Sequence, residues 1–310
     1  MAVPVLLDCD PGHDDAIAIL LAAASPAIDL LGITTVAGNQ TLAKTTLNAR
    51  RVCTAAGITS VPIAAGRAEP LHGRLQDGEA IHGESGLDGP SFGEPTVGIE
   101  PVGAVEFMRR VIMGADRPVT LVATGPLTNV AALLLAHPEV TEGLHQISLM
   151  GGSTERGNAS PYAEFNIWAD PEAADIVFGC GRPITMSGLN VTHQALATRD
   201  VLDRIAALGT PLATICVDLL TFFADSYRQV FGFEAPPLHD PVAMAWVIDP
   251  TLVSTVEANV TIELTGTYTR GATVVDLHKA TGRPPNARVA VGLETGRFWD
   301  LVVAAVDALG

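Results

Sequence analysis

The sequence is short of positive charge. Of its 310 residues, 18 are lysine or arginine while 34 are aspartate or glutamate, which gives a formal net charge of −16. A protein that binds nucleic acid needs clustered basic side chains to neutralise phosphates and release counterions. The shortage of such residues argues against a nucleic-acid partner. The acidic balance fits a protein that gathers carboxylates around a cation.

Cysteine is also scarce, and no C-x-x-C pair is present. The four cysteines stand far apart, mostly in apolar surroundings: Cys9, Cys53, Cys180 and Cys216. This distribution predicts buried free thiols and favours a reducing, cytoplasmic location. The start of the chain lacks a basic leader, and the longest apolar stretches are too short to cross a bilayer. We therefore expect no targeting segment and no membrane insertion.

The sequence does have short β-branched runs that alternate with longer helical patterns. Strands are predicted at 3–7, 30–36, 119–123 and 146–150, and helices at 14–24, 41–56, 170–178, 211–231, 241–247 and 295–308. Residues 253–291 are β-rich, with a turn expected at Thr265-Gly266. The alternation predicts an α/β fold with a Rossmann-like, open, mostly parallel sheet and helices on both faces.

Two stretches, 65–100 and 151–168, show little periodicity and are rich in glycine, proline or polar residues. Loops of this length inside a compact α/β protein are usually functional or mobile. No internal repeat, low-complexity tract or linker divides the chain, so we expect residues 1–310 to form a single domain.

The most informative segment is a cluster of four aspartates directly after the first predicted strand. Asp8, Asp10, Asp14 and Asp15 fall within eight residues, at the start of a predicted helix. The carboxyl ends of parallel strands form the ligand crevice of such sheets. Like charges this close require compensation, which a helix N-terminus supplies in part and a hard divalent cation supplies better. The cluster therefore predicts a cation site.

Three other interpretations fit the cluster less well. Asp14 and Asp15 alone could cap the helix while the other two aspartates are solvated, which suits one aspartate better than four. An EF-hand loop fails because its central glycine and terminal bidentate glutamate are missing. A phosphatase with an aspartate nucleophile also carries Asp-x-Asp after its first strand, but no matching downstream Lys and Asp pair is evident here.

The run Asp8–Ala16, DCDPGHDDA, resembles the N-terminal signature of the inosine-uridine-preferring nucleoside hydrolase family. Similar segments follow in order over essentially the whole chain: VAGN at 36–39, HGESGLDG at 82–89, ATGPLTN at 123–129, MGG at 150–152, AEFN at 163–166 and LHDP at 238–241. The resemblance implies the nucleoside hydrolase fold and an enzyme that uses water to cut the bond between ribose and a nucleobase.

The resemblance also implies a calcium ion, bound by the side chains of Asp10, Asp15 and Asp240 and by the backbone carbonyl of Thr124. Calcium prefers all-oxygen coordination with several carboxylates, and no Cys/His cluster indicates zinc. The remaining positions would hold a water and two ribose hydroxyls. Asp10 is the expected general base for the attacking water.

By the same resemblance, the ribose is expected to contact Asp14, Asn39, Asn158, Glu164, Asn166 and Asp240. Departure of the base leaves an oxocarbenium-like sugar, whose positive charge nearby carboxylates stabilise. Met150 is expected to pack against the sugar, with a core position at the end of its strand as the alternative.

Two histidines and two aromatic residues are expected at the nucleobase. His239 directly precedes Asp240 and is the candidate general acid, because histidine titrates near neutrality. His82 is expected to face the base. Tyr227 and Phe231 lie at i and i+4 on one predicted helix face, which leaves open whether they stack on the base or pack in the core.

Several conspicuous residues are given structural roles. Asp8 is expected to shape its loop through backbone hydrogen bonds without touching the metal. His13 and five further histidines form no metal-ligand set with the residues above: His72, His137, His145, His193 and His278.

The leading hypothesis is hydrolysis of nucleosides, leaning toward pyrimidines or broad enough to include uridine, cytidine and inosine. A hydrolase of another ribosylated compound, such as a nucleotide-like one, would need phosphate contacts, yet no basic cluster lies near the expected site. A non-catalytic, metal-dependent nucleoside-binding protein would have lost residues such as Asp10, Asp15 or Asp240, and all three are present. The resemblance further implies a homo-oligomer, dimer or tetramer, acting in purine and pyrimidine salvage.

Overall fold

A single nine-stranded sheet forms the centre of the computed structural model, which describes all residues 1–310. The strands are β1 (Val3–Cys9), β2 (Ile28–Thr35), β3 (Ile63–Ala65), β4 (Val119–Ala123), β5 (Leu144–Met150), β6 (Ile184–Ser187), β7 (Val253–Ile262), β8 (Thr273–Asp276) and β9 (Ala287–Leu293).

Thirteen helices flank or connect these strands. They are α1 (His13–Ala24), α2 (Leu42–Ala55), α3 (Glu79–His82), α4 (Ala104–Gly114), α5 (Thr128–Ala136), α6 (Val140–Gly143), α7 (Phe165–Ala169), α8 (Pro171–Phe178), α9 (Leu189–Thr192), α10 (Arg199–Ala206), α11 (Pro211–Phe231), α12 (Asp240–Ile248) and α13 (Thr295–Leu309). A 3-10 turn covers Pro250–Leu252. No helix combines the length and apolar character needed to cross a membrane.

The strand order is β3-β2-β1-β4-β5-β6-β9-β7-β8. Strands β1 to β6 and β9 pair in parallel, whereas β7 pairs antiparallel with β9 and β8. The chain leaves β1 toward β2 on one side and later returns to place β4 on the other. This reversal opens a crevice at the carboxyl ends of β1 and β4, where ligands bind in folds of this kind.

Apolar side chains on both faces of the sheet pack against helices. In β1, Val5 and Leu7 belong to the core beneath α1, α12 and α13, while Leu6 belongs to the core beneath α4, α5 and α8. A strand buried on both faces is expected to read as a continuous apolar run, as this one does. The predicted fold class is confirmed.

Most predicted elements occur close to their expected bounds. The strand at Val119–Ala123 and the helix at Pro211–Phe231 match the prediction in full. The β-rich stretch resolves into β7, β8 and β9, but the turn between β7 and β8 lies at 267–271, just beyond Thr265-Gly266. All four cysteines are free thiols, and three are buried, as expected.

Several elements are absent from the sequence-based prediction. Helices α4 and α10 were missed although each has a clear apolar face, whereas the other missed elements are short or lack a one-sided pattern. Strands β3 and β6 have three and four residues, too few for a period to show. Helix α5 is apolar around most of its circumference because it packs between the sheet and its neighbours, so no amphipathic stripe marks it. Of the two stretches without periodicity, 65–100 contains α3, and 151–168 runs into α7.

Candidate active site

A pocket of about 280 Å³ lies at the carboxyl ends of the central strands. It gathers residues from loops that are distant in sequence, because the ends of parallel strands meet at one edge of the sheet. Eleven of the predicted site residues line it: Asp14, Asn39, His82, Thr124, Met150, Asn158, Glu164, Asn166, Tyr227, His239 and Asp240. Asp10 and Asp15 are fully buried and lie outside this lining, at the base of the site.

Three buried carboxylates at the base of the pocket are placed to share a cation. Ligand atoms of Asp14, Asp15 and Asp240 all lie within 4.8 Å of one another. The sequence placed Asp14 with the ribose, whereas the structure sets it among these potential cation ligands. Asp10, expected on the metal, is outside the set of three but close enough for its charge to raise the pKa of Asp240.

The electrostatics of this group favour a bound cation. Burial, and then repulsion by Asp15, raises the pKa of Asp14 to about 7. Burial likewise raises the pKa of Asp15, and burial with repulsion by Asp14 and Asp15 raises the pKa of Asp240 well above its ordinary value. Without a counter-charge, burial and mutual repulsion favour the protonated forms of these carboxyls. A divalent cation would displace those protons and remove the repulsion.

Asp10 has one oxygen fixed and the other without a partner. Its Oδ2 accepts the backbone N–H of Asn39 at 2.7 Å, while the buried Oδ1 accepts no hydrogen bond. The carboxylate fits between two glycines, since a Cβ on Gly38 would overlap Oδ2 and a Cβ on Gly125 would lie 2.5 Å from Oδ1. A buried carboxylate oxygen with no partner suits a metal ion or a metal-bound water.

Hydrogen bonds from three directions orient Asp15. Its Oδ2 accepts from the backbone N–H of Gly12 at 3.0 Å and from the amide of Asn39 at 3.1 Å. Its Oδ1 accepts from the hydroxyl of Thr124 at 2.8 Å. The carbonyl of Thr124, the predicted metal ligand, accepts from the Asn166 amide at 2.8 Å and retains a second lone pair.

Asp8 differs from the expectation that it bonds to backbone groups. Its Oδ1 accepts from the hydroxyl of Thr34 at 2.5 Å and from the amide of Asn129 at 2.8 Å. Both donors are side chains on other elements. They are far from Asp8 in sequence, so no local pattern predicted them. Asn129 also donates to the carbonyl of Thr35 at 3.0 Å, so the group ties the start of α5 to the end of β2. Asp8 therefore links the ends of β1 and β2 to α5 beneath the site.

The 151–168 stretch folds back over the end of β5 and is fixed by Glu164. Oε2 of Glu164 accepts the backbone N–H of Gly152 at 2.8 Å, and Oε1 accepts that of Asn166 at 2.9 Å. The Asn166 amide donates to the carbonyl of Met150 at 3.1 Å, and Oδ1 of Asn158 accepts the backbone N–H of Phe165 at 2.9 Å. Burial raises the pKa of Glu164 to about 7.

His239 and Tyr227, which line the pocket, form a hydrogen-bonded chain with Thr192. The Thr192 hydroxyl is 2.7 Å from His239 Nδ1, and the Tyr227 hydroxyl is 2.6 Å from His239 Nε2. Burial, with a smaller effect of His193, lowers the pKa of His239 to about 3. The imidazole is therefore neutral at physiological pH. Nothing in the sequence marked Thr192, which is 47 positions away from its partner.

Tyr227 and Phe231 both line the pocket, with their ring centroids 5.1 Å apart. Tyr227 is 5% exposed and lies deep in the site, whereas Phe231 is 37% exposed and lies near the surface. The shared helix face borders the pocket and continues into packed aromatic rings. Stacking of these residues on the base stays a prediction.

The comparisons with known proteins agree with this geometry. The family model described as inosine-uridine preferring nucleoside hydrolase matches residues 5–300. The chain belongs to this family. It is 48% identical over 303 residues to the pyrimidine-specific ribonucleoside hydrolase RihA of Escherichia coli O1:K1, covering 97% of each chain. The protein is therefore an enzyme of the nucleoside hydrolase family.

Solved structures of family members share the fold of this nucleoside hydrolase. The purine-preferring ribonucleoside hydrolase from Gardnerella vaginalis superposes with a TM-score of 0.92 at 32% identity, covering 99% of this chain and 98% of the other. The plant nucleoside hydrolase PpNRh1 gives a TM-score of 0.91 at 31% identity, covering 99% of each chain. The Gardnerella enzyme is named purine-preferring and RihA pyrimidine-specific, so the fold alone does not set base preference.

Proposed function

We propose that this enzyme hydrolyses the N-glycosidic bond of ribonucleosides to ribose and free base, with calcium as cofactor and with pyrimidine nucleosides as preferred substrates. The observation that carries the proposal is the group of buried carboxylates at the base of a pocket that is also lined by histidine and aromatic side chains. The carboxylates would act on the sugar and the attacking water, and the histidine and aromatic side chains would contact the leaving base.

The residues at the base of the pocket fit a calcium ion. The ion would be held by Asp10, Asp15, Asp240 and the Thr124 carbonyl. Asp14 lies close enough to contact the same ion. Hard oxygen ligands with several carboxylates are the set that calcium prefers. When bound, calcium orients a water, eases its deprotonation and aligns ribose hydroxyls.

Asp10 is the proposed general base. Because Asn39 holds its Oδ2, the unpartnered Oδ1 is the oxygen that takes a proton from the attacking water. Asp14, Asn39, Asn158, Glu164 and Asn166 would bind the ribose, and the Met150 side chain would pack against it. The carboxylates among these groups stabilise the positive charge that develops on the sugar as the base departs.

The leaving base requires a proton. His239, the general acid expected from the sequence, is neutral in this site and bonds through Nε2 to the Tyr227 hydroxyl. We assign the donor role to the Tyr227 hydroxyl. In this arrangement Thr192 donates to His239 Nδ1, and His239 Nε2–H donates to the Tyr227 oxygen, which leaves the phenolic proton for the base. The hydrogen bond from His239 Nε2–H stabilises the phenolate left on Tyr227. After the products leave, Tyr227 regains a proton from solvent and Asp10 gives up to solvent the proton it took from the water.

Two observations favour nucleosides, and pyrimidine nucleosides in particular. The pocket is lined by no lysine or arginine, which disfavours substrates that carry a phosphate. The relative at 48% identity is named as pyrimidine-specific, and both histidines expected at the base, His82 and His239, line the pocket. Inosine remains in the proposed substrate range.

The proposed setting extends the same reasoning. We infer that residues 1–310 act as one domain of a cytoplasmic homodimer or homotetramer in nucleoside salvage. The four free thiols support a reducing compartment. Size-exclusion chromatography with light scattering would measure the oligomeric state.

Ribose release from uridine, cytidine, inosine and adenosine, measured before and after chelation, tests the proposal. We expect release to stop on removal of the metal, to return with added calcium, and to rank uridine or cytidine first. Saturable binding of uridine with no ribose release, in the calcium-loaded protein, would instead indicate a binding protein and refute the enzymatic proposal.

A further inference from the structure

His13, the first residue of α1, is fully buried beside the pocket yet has no part in the chemistry described above. It lies next to the aspartate cluster in sequence but does not join the carboxylates that approach one another. Its ring is directed instead toward His82, which α3 supplies to the wall of the pocket. This contact connects an unassigned residue to the nucleobase side of the site.

The hydrogen bonds of His13 fix its own tautomer. Its Nε2 lies 2.8 Å from the carbonyl oxygen of Asp88. A carbonyl oxygen only accepts, so Nε2 carries the proton and, in a neutral imidazole, Nδ1 carries the lone pair. That Nδ1 lies 3.1 Å from Nδ1 of His82. The contact is attractive when His82 Nδ1 bears a proton and donates it.

The opposite tautomer of His82 is less favourable. It would accept the backbone N–H of His13, which is 3.3 Å from Nδ1, but it would place two nitrogen lone pairs 3.1 Å apart. The proposed tautomer removes that repulsion and forms the ring-to-ring hydrogen bond, at the expense of the bond from the His13 N–H. The ring-to-ring contact is the shorter of the two. Because the groups are buried, an unfavourable dipole contact between the rings is poorly screened.

Packing holds both rings in this geometry. The His13 ring stacks on Phe222 and Phe223, with centroids 5.2 Å and 5.3 Å away and interplanar angles of 4° and 6°. The His82 ring stacks on Phe223 at 5.4 Å. A Cβ on Gly12 would overlap His82 Nδ1, so the glycine admits the ring at this distance.

We propose that His13 is a positioning residue that accepts a hydrogen bond from His82 Nδ1 and thereby makes His82 Nε2 an acceptor for an N–H group of the nucleobase. This inference rests on the proposed function, in which His82 faces the base. Nε2 makes no hydrogen bond within the protein, so it is free for a ligand. An acceptor at this point matches the imide N–H of uracil or the amino group of cytosine.

Three variants of the full-length, calcium-loaded enzyme separate this role from a structural one. The Asn of His13→Asn can place an oxygen where Nδ1 stood and retain the acceptor for His82. The Gln of His13→Gln can reach the Asp88 carbonyl but offers no acceptor at the Nδ1 position. His13→Phe keeps the ring stacking and loses both hydrogen bonds.

Nitrogen-15 NMR of the histidine side chains, with His82 assigned by the signal lost in His82→Asn, reads the tautomer directly. We expect wild type and His13→Asn to show a proton on Nδ1 of His82 and a lone pair on Nε2. In His13→Gln and His13→Phe this tautomer preference should be lost. A proton on Nε2 of His82 in the wild type would overturn the proposal, even if every variant failed to fold.

Kinetics supply the second readout. For uridine, kcat/KM should fall about three- to tenfold in His13→Gln and His13→Phe, the size expected for one hydrogen bond, and return toward wild type in His13→Asn. The loss for a p-nitrophenyl riboside should be smaller. Rescue by Gln in place of Asn would show that His13 only anchors the loop at Asp88. If the wild type released no ribose at all, the proposed function would fail while the NMR result still decided the role of His13.

Discussion

Replacing Gly125 by alanine is expected to disable the enzyme while leaving its fold intact. Gly125 does not adopt a positive φ, so the backbone accepts an alanine without conformational strain. The obstacle is space. The new Cβ would lie 2.5 Å from Oδ1 and 2.8 Å from Cγ of Asp10, and 3.0 Å from Cγ1 of Val36.

The magnitude follows from how tightly Asp10 is held. Its Oδ1 would have to retreat by about 1 Å to reach an ordinary contact distance, and overpacking of this kind costs about 1–3 kcal/mol in stability. The carboxylate cannot retreat freely, because Oδ2 is bonded to the Asn39 N–H at 2.7 Å and bordered by Gly38. A displacement of about 1 Å in a reacting group costs about 10²-fold in rate.

Three measurements check this prediction: kcat/KM for uridine, calcium affinity by isothermal titration calorimetry, and the thermal midpoint of unfolding. Gly93→Ala is the matched control, because a Cβ there meets nothing within 4 Å and its φ is not positive. The control should remain within about 0.5 kcal/mol of wild type with unchanged kinetics. Turnover by Gly125→Ala within a factor of about three of wild type would refute the inference that the position of Asp10 is critical to hydrolysis.

Three further predictions concern the same site. Asp10→Asn should fold like wild type and lose about 10³-fold in kcat, since general-base catalysis is worth 10²- to 10⁴-fold; circular dichroism and steady-state kinetics would check this. Tyr227→Phe should reduce uridine hydrolysis about 10²-fold and largely spare a p-nitrophenyl riboside, whose leaving group needs no proton; equal losses would contradict the donor role. In the metal-free protein, burial raises the pKa of Asp14 and the pKa of Glu164 to about 7. The contribution of these two groups to the free energy of unfolding is therefore complete below pH 4 and is lost as the pH rises through 7. The metal-free melting temperature should therefore fall between pH 5 and pH 8, calcium should abolish most of that fall, and a flat profile without metal would contradict it.

Local sequence was sufficient for the parts of the site that depend on a strand end. Asp10, Asp14 and Asp15 follow β1 directly, and a buried apolar run that stops at a cluster of carboxylates marks the crevice of a parallel sheet. Most of the long regular elements were predictable for the same reason, since period and capping are short-range properties; α4 was not predicted. The family was recognisable from several motifs that occur in order along the chain, each with particular residue types at a fixed spacing.

The sequence by itself therefore determined the fold class, the family and most of the residues around the pocket. Only the tertiary structure decided their protonation and their partners. His239 is neutral because burial removes its charge, and its link to Thr192 and Tyr227 joins three separate helices or helix ends. Asp8 meets Asn129 across 121 positions of the chain. Burial and long-range hydrogen bonds arise when distant segments pack together, so no local pattern in the sequence encodes them.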